Sequence, residues 1–271
     1  MDDELPEDIL SSSLLSLYHY QPITLSSAGA IFVYRSPHCQ VTLQTPDTKA
    51  ANWALHASSV WASSRFLSDH IEYLHLADHI KHSQTNKHLK VLELGAAAGL
   101  PSIVIAKTHA ADEIQVVVTD YPDEELIRTL AQNVVDNGVS RNCRALAYDW
   151  GSPDSSPLFA PDNEKFDVII AADTLWNPDF HGIFITALKS TLKKAPDSRV
   201  YLFAGLHTGR YTIQSFLIAV LKEGFVLDNA FEQETAGDQT RAWSVERADG
   251  EDESERRRWI ACITLKWDSD T

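Results

Sequence analysis

The 271-residue chain is 44% hydrophobic with a formal net charge of −15, which is enough apolar content for one large buried core. No window reaches the ~18 to 20 apolar residues of a membrane span, and 38 acidic against 23 basic residues is the reverse of a phosphate-binding balance. Membrane and nucleic-acid partners are therefore not expected; a basic protein or peptide partner would suit the charge, and so would simple solubility.

The first residues, Met1-Asp2-Asp3-Glu4, are opposite in sign to a signal or transit peptide, so a cytoplasmic protein is expected. Residues 31–34 and 39–43 alternate about Ser36-Pro37 like a short hairpin. From Asn52 to about Ile80, apolar residues recur at helical spacing through Val60, Trp61, Phe66, Leu67, Ile71 and Leu74, which predicts one or two helices. Hairpin and helices together form an expected extension, residues 1–80, packed on a core at 81–271. In that core, strands are expected near 89–94, 114–119, 143–148, 166–172 and 198–205, with helices near 100–108, 123–137, 179–194 and 211–223. Such alternation argues for a parallel sheet covered on both faces. The last apolar runs, Gly224 to Phe231 and Trp259 to Trp267, read as an antiparallel pair, and the charged stretch 246–258 between them as a solvated loop. Cys39, Cys143 and Cys262 show no metal or disulfide spacing, and the histidines form no ligand pair, so free thiols and no metal site are expected.

Most informative is Val91-Leu92-Glu93-Leu94-Gly95-Ala96-Ala97-Ala98-Gly99-Leu100-Pro101: an apolar strand, a turn of small residues, then a helix. Gly95 and Gly99 permit unusual torsions, and the alanines leave almost no side chain between backbone and ligand. The next strand ends in Asp120, where a carboxylate can accept both hydroxyls of a ribose lying across the first turn. A dinucleotide site wants G-x-G-x-x-G, and this chain has G-x-x-x-G preceded by Glu93, whose charge would repel a diphosphate and suit a cation. S-adenosyl-L-methionine, with an ammonium, a sulfonium and no phosphate, fits that pattern. An ordinary tight turn with Glu93 as a local hydrogen-bond partner is the alternative.

The E-x-G-x-x-x-G run resembles motif I of seven-β-strand methyltransferases, whose commoner form has glycine where Ala97 stands. With Val118-Thr119-Asp120-Tyr121-Pro122-Asp123, Asp149-Trp150-Gly151 and Ala172-Asp173-Thr174-Leu175-Trp176-Asn177, the chain resembles the methyltransferase 16 family over roughly residues 50–267. The similarity is to its fungal nicotinamide N-methyltransferase-like group, which includes enzymes of the elongation factor 1-alpha N-terminal and lysine methyltransferase kind. The resemblance implies an α/β fold: a Rossmann-like, seven-stranded class I methyltransferase sheet with an antiparallel last strand and an N-terminal hairpin and helix extension. It also implies N-methylation of a protein amine with S-adenosyl-L-methionine as cofactor. A small-molecule N-methyltransferase, or a catalytically silent cofactor-binding adaptor, are the other readings.

By this resemblance, Trp150 contacts the adenine and Trp61 lies near the methionine end, joined in cofactor binding by Glu93, Gly95, Ala96, Ala97, Asp120, Tyr121 and Ala172. Core packing is the plain alternative for either tryptophan, and helix capping for Asp120. Asp173 and Trp176 match the family's D-x-x-[YF] element with tryptophan at the aromatic position, and are the catalytic candidates. A lysine (reference pKa ~10.4) must lose a proton before it attacks; Asp173 could take that proton or orient the N–H, and Trp176 offers a π face to the ammonium. The alternative is an Asp173 helix cap with Trp176 in the core. Asn177, His207 and Arg210 are substrate-side candidates, the last two because Phe203 to Arg210 departs from the turn in the family's elongation-factor enzyme; they could equally only fix a loop.

Overall fold

A computed structural model describes residues 22–82, 88–152 and 156–269; the acidic tract Asp2 to Asp8 lies outside them. The hairpin forms as expected from β1 (Ile31–Arg35) and β2 (Gln40–Gln44), its turn held by the Ser36 hydroxyl, which accepts the His38 and Cys39 N–H groups. Val41 and Leu43 point inward and are fully buried. The helical spacing after it becomes two helices, α1 (Ala62–Asp69) and α2 (Leu76–His82), which bury Phe66, Leu67 and Leu76.

The expected alternation follows: β3 (Leu89–Leu94), α3 (Leu100–Thr108), β4 (Ile114–Asp120), α4 (Glu124–Asp136), β5 (Cys143–Ala147), β6 (Val168–Ala172), α5 (His181–Thr191), β7 (Arg199–Gly205) and α6 (Arg210–Leu221). β3 to β7 are all parallel. Side chains of a strand alternate between faces, and two cores result. Val91, Val116, Val168 and Ile170 pack with Phe66, Ile103 and Leu130 on one face; Leu92, Val117, Ile169 and Ala171 pack with Phe184, Leu188, Phe216 and Val220 on the other. This double burial is why the strands read as continuous apolar runs and not as alternating ones. The hairpin is pinned to α4 by Asn133, whose amide accepts the Gln44 N–H at 2.8 Å and donates to the Gln44 carbonyl at 2.9 Å.

The sheet closes with β8 (Phe225–Glu234), β9 (Thr240–Ala242) and β10 (Trp259–Trp267) in the order β5-β4-β3-β6-β7-β10-β8-β9. β10 runs antiparallel to both β7 and β8, as the two last apolar runs implied. The sheet has eight strands where seven were expected, because Thr240–Ala242 adds a short edge strand to β8. The stretch 246–258 is also more ordered than a solvated loop: it holds a 3-10 turn and α7 (Glu253–Arg257), and Glu251 is drawn into the protein by arginines. No helix among the described residues is long and apolar enough to cross a membrane. The parallel strands all end on one edge of the sheet, where open α/β sheets bind ligands.

Candidate active site

At the end of β3 the backbone turns through left-handed torsions at Gly95, Ala97 and Gly99 (φ 70°, 48° and 83°). A side chain at Gly95 has no room, since a Cβ there would stand 2.9 Å from Thr174 Cγ2 and 3.2 Å from the Trp150 ring. The turn is latched to the next strand: the Ala96 N–H donates to the Thr119 carbonyl at 3.0 Å, and the Ala97 N–H donates to Asp120 Oδ2 at 2.7 Å. Asp120 Oδ1 accepts the Tyr121 N–H at 2.7 Å, so each carboxylate oxygen is held by one backbone donor and keeps acceptor capacity beside the cavity it lines. Burial raises its pKa to about 6. Asp120 does not cap the following helix; Asp123 does, accepting the Glu125 and Leu126 N–H groups.

One cavity gathers Gly95, Ala97, Asp120, Tyr121, Trp150, Ala172, Asp173, Trp176 and Trp61. Trp150 follows β5 and packs on Phe184 with ring centroids 4.7 Å apart. Asp173, just past β6, adopts a left-handed torsion (φ 57°), a conformation that costs energy in any residue with a side chain. It is locked there: its N–H donates to the Phe203 carbonyl and its Oδ1 accepts the Gly205 N–H, both at 2.8 Å. Oδ2 has no hydrogen-bond partner among the described residues. Trp61 arrives from the N-terminal region with its indole N–H on the His56 carbonyl at 2.9 Å. His56 stands edge-on to Trp176, 4.9 Å between ring centroids, and His207 stacks on Trp61 at 5.5 Å.

Five sequence candidates lie off the cavity wall, among them His207, which meets the site through its stack on Trp61. Glu93 and Ala96 are absent from the cavity wall. Glu93 sits beneath it, 1% exposed, accepting the Ser102 N–H at 3.1 Å; it braces the start of α3 and its pKa is pushed up to about 8 by burial. Asn177 caps a short 3-10 turn by accepting the Asp179 N–H. Arg210 is the clearest correction. Its guanidinium is fully buried between Glu232 of β8 and Glu251 of segment 246–258, so it cannot meet a substrate. The cavity wall also includes His56, Tyr148, Thr174 and Phe180, which sequence reading passed over. Tyr148 borders one recognised motif and Thr174 lies within another, so both could have been found; nothing local in the sequence marks His56.

The chemistry of the wall suits a donor with a ribose, a flat base and a positive charge. Asp120 offers spare acceptors, Trp150 an apolar ring, and Thr174 a buried hydroxyl with no partner among the described residues. Residues 45–222 match the family described as lysine methyltransferase. This chain belongs to the lysine methyltransferase family. Among its relatives, the protein N-terminal and lysine N-methyltransferase efm7 of Neurospora crassa is 29% identical over 231 residues, covering 80% of this chain and 75% of the relative. EFM7 of Gibberella zeae is 34% identical over 224 residues, covering 75% and 71%. The protein-lysine N-methyltransferase EFM2 of Saccharomyces cerevisiae is 33% identical over 157 residues, covering 54% and 36%. Among solved structures, the METTL16 MTase domain gives a TM-score of 0.48 at 11% identity over 73% of this chain and 68% of that one.

As a lysine methyltransferase family member the chain is an N-methyltransferase using an S-adenosylmethionine-type donor, and its buried acids make a pH prediction. The folded protein holds the Glu93 proton up to about 8, whereas an unfolded glutamate releases it near pH ~4.3. Native protein therefore binds more protons than unfolded protein between those values, and stability falls as pH rises through that window and levels off above it. In Glu93→Gln the amide still accepts from Ser102, and thermal midpoints from pH 5 to 8 should decline less steeply than in wild type. Parallel curves would show that Glu93 is ionised throughout.

Proposed function

We propose that this enzyme transfers a methyl group from S-adenosyl-L-methionine to a lysine or N-terminal amine of a basic protein or peptide, in the cytoplasm. The observation that carries the reading is a single cavity joining Asp120 and Trp150 to Asp173 and Trp176 at the carboxyl edge of the sheet. Asp120 would hold the ribose hydroxyls, Trp150 the face of the base, and the bare turn at Gly95 to Ala97 the backbone-hugging part of the donor. When bound, that donor supplies a methyl group activated on a sulfonium.

The protein's own task is alignment and desolvation of a neutral amine. Asp173 Oδ2 accepts an N–H of the incoming amine and takes up its departing proton, while Oδ1 stays committed to Gly205. Trp176, braced by His56 and Phe180, turns a π surface to the ammonium before and after transfer. The protein substrate is favoured by the names of the relatives, and a basic one by the charge of −15, which speeds encounter with a cationic partner at low salt.

Incubation with isotopically labelled methyl donor and a fungal lysate, followed by separation of protein-bound from small-molecule label, tests the assignment: protein label is expected, and label confined to small molecules would reverse it. Asp120→Ala should weaken S-adenosylhomocysteine by ~1.5 to 3 kcal/mol, the range for hydrogen bonds to a charged group. Calorimetry on folded variant that returns the wild-type constant would remove Asp120 from the donor site.

A further inference from the structure

Residues Ala50–Leu55 form a 3-10 turn at the entrance of the cavity in which no residue is buried. It therefore adds almost nothing to the core, yet it is held firmly. The Lys49 N–H and the Asn52 amide both donate to Asp123 Oδ2, at 3.2 and 2.6 Å, and the Lys49 ammonium pairs with Glu124. The turn ends at His56, whose backbone is left-handed and whose N–H donates to the Trp53 carbonyl at 3.0 Å.

What this scaffold displays is Trp53. At 64% exposed it is the most exposed large apolar side chain among the described residues, and its indole N–H is tied back to the Thr48 carbonyl at 3.0 Å. Its donor is thus satisfied within the protein, and what remains to offer is ring surface, prepaid in conformational entropy. The next residues along, Leu55, His56 and Ala57, line the cavity, so Trp53 lies within about 11 Å of His56 by chain length alone. Two further exposed apolar side chains, Tyr121 and Ile183, line that cavity, so its mouth already carries apolar surface.

We infer that Trp53 is a docking anchor for the protein substrate: it receives an apolar side chain that neighbours the methylated amine. The inference rests on the protein-amine reading above, and it adds a specificity element outside the reacting centre. An indole held rigid beside a binding cleft is the kind of residue that dominates recognition energy. A small amine entering the cavity would not touch it. The cationic character of the substrate would then reside outside this apolar contact.

The test uses the protein labelled in the lysate experiment, purified, with its modified residue mapped. Trp53→Ser should raise KM for that protein about tenfold with kcat little changed, as for loss of an interface hot spot, and Trp53→Phe should recover most of the loss. S-adenosylhomocysteine affinity and thermal midpoint should match wild type in both variants, which excludes misfolding. Changing the apolar residue nearest the modified amine to serine should reproduce the KM increase, and combining it with Trp53→Ser should add no further increase, the signature of a direct contact. A wild-type KM in Trp53→Ser, or fully additive effects, would overturn the anchor while leaving the protein-amine assignment standing. Absence of any protein label with wild-type enzyme would overturn both, and is recognised before any variant is made.

Discussion

Replacing Asp173 by asparagine is expected to lower kcat by about 10²- to 10⁴-fold, the usual contribution of a positioned proton acceptor, with little change in S-adenosylhomocysteine affinity. Asparagine is the informative substitution. It tolerates the left-handed torsion at this position better than other residues with a Cβ, and its carbonyl can still accept the Gly205 N–H that Asp173 Oδ1 now binds. Only charge and basicity are lost. Alanine would strand that N–H and strain the turn, mixing stability with catalysis. Trp150→Ala is the counterpart and should act mainly on the donor constant through lost ring contact. Equal weakening of donor binding in both variants would place Asp173 among the donor contacts, and an undiminished kcat in Asp173→Asn would leave it as a latch between β6 and β7.

The largest stability effect should come from Arg210→Ala, a loss of ~3 to 5 kcal/mol in unfolding free energy, as when one partner of a buried ion pair is removed. Arg210 makes two hydrogen bonds to Glu232, at 2.5 and 2.8 Å, and two to Glu251, both at 2.7 Å. Burial alone would raise the Glu232 pKa, but hydrogen bonds from Arg210 and Arg241 hold it below the ordinary carboxylate value. The network's contribution is therefore present at neutral pH and disappears on acidification through that lowered pKa. Urea unfolding at pH 7 measures the change directly. A loss below ~1 kcal/mol, typical of exposed pairs, would mean that Arg241 and Arg247 alone suffice for Glu232 and Glu251.

The parallel half of the fold was readable because its strands are buried on both sides and punctuated by glycine, proline and strand-end acids, signals that survive without tertiary information. That Asp120, Trp150, Asp173 and Trp176 line one cavity could be expected for the same reason: each sits at or within a few residues after a strand end, and strand ends in such sheets converge. The misreadings share a different cause. Arg210 looked like a free cation beside an unusual turn, and Glu251 like part of a solvated tract; they meet only after the chain has travelled through β8 and β9, and no local pattern encodes that pairing. Glu93 was expected at the ligand and lies one layer beneath it, since spacing does not reveal whether a side chain on a strand faces the ligand or the helix beneath it. His56 is held by a left-handed torsion and by contacts to Trp61, five residues on, and to Trp176, distant in sequence, none of which composition reports.

The position of β10 between β7 and β8 bears on how the protein is made. A ribosome releases β7 well before β10, and during that interval β7 is paired to β6 on one edge only, while the edge that β10 will cover, with apolar side chains on both faces, stays open. β8 emerges in the same condition, with the short β9 as its sole strand partner. The donor-side residues are by then all synthesised, so the nascent chain can shape its cleft while the sheet still has an open, adhesive edge. Chains cut short before Trp259, by nonsense mutation or proteolysis, would keep every residue of the cleft and yet be prone to aggregate, which makes the closing strand a guard on solubility during synthesis and not a contributor to chemistry.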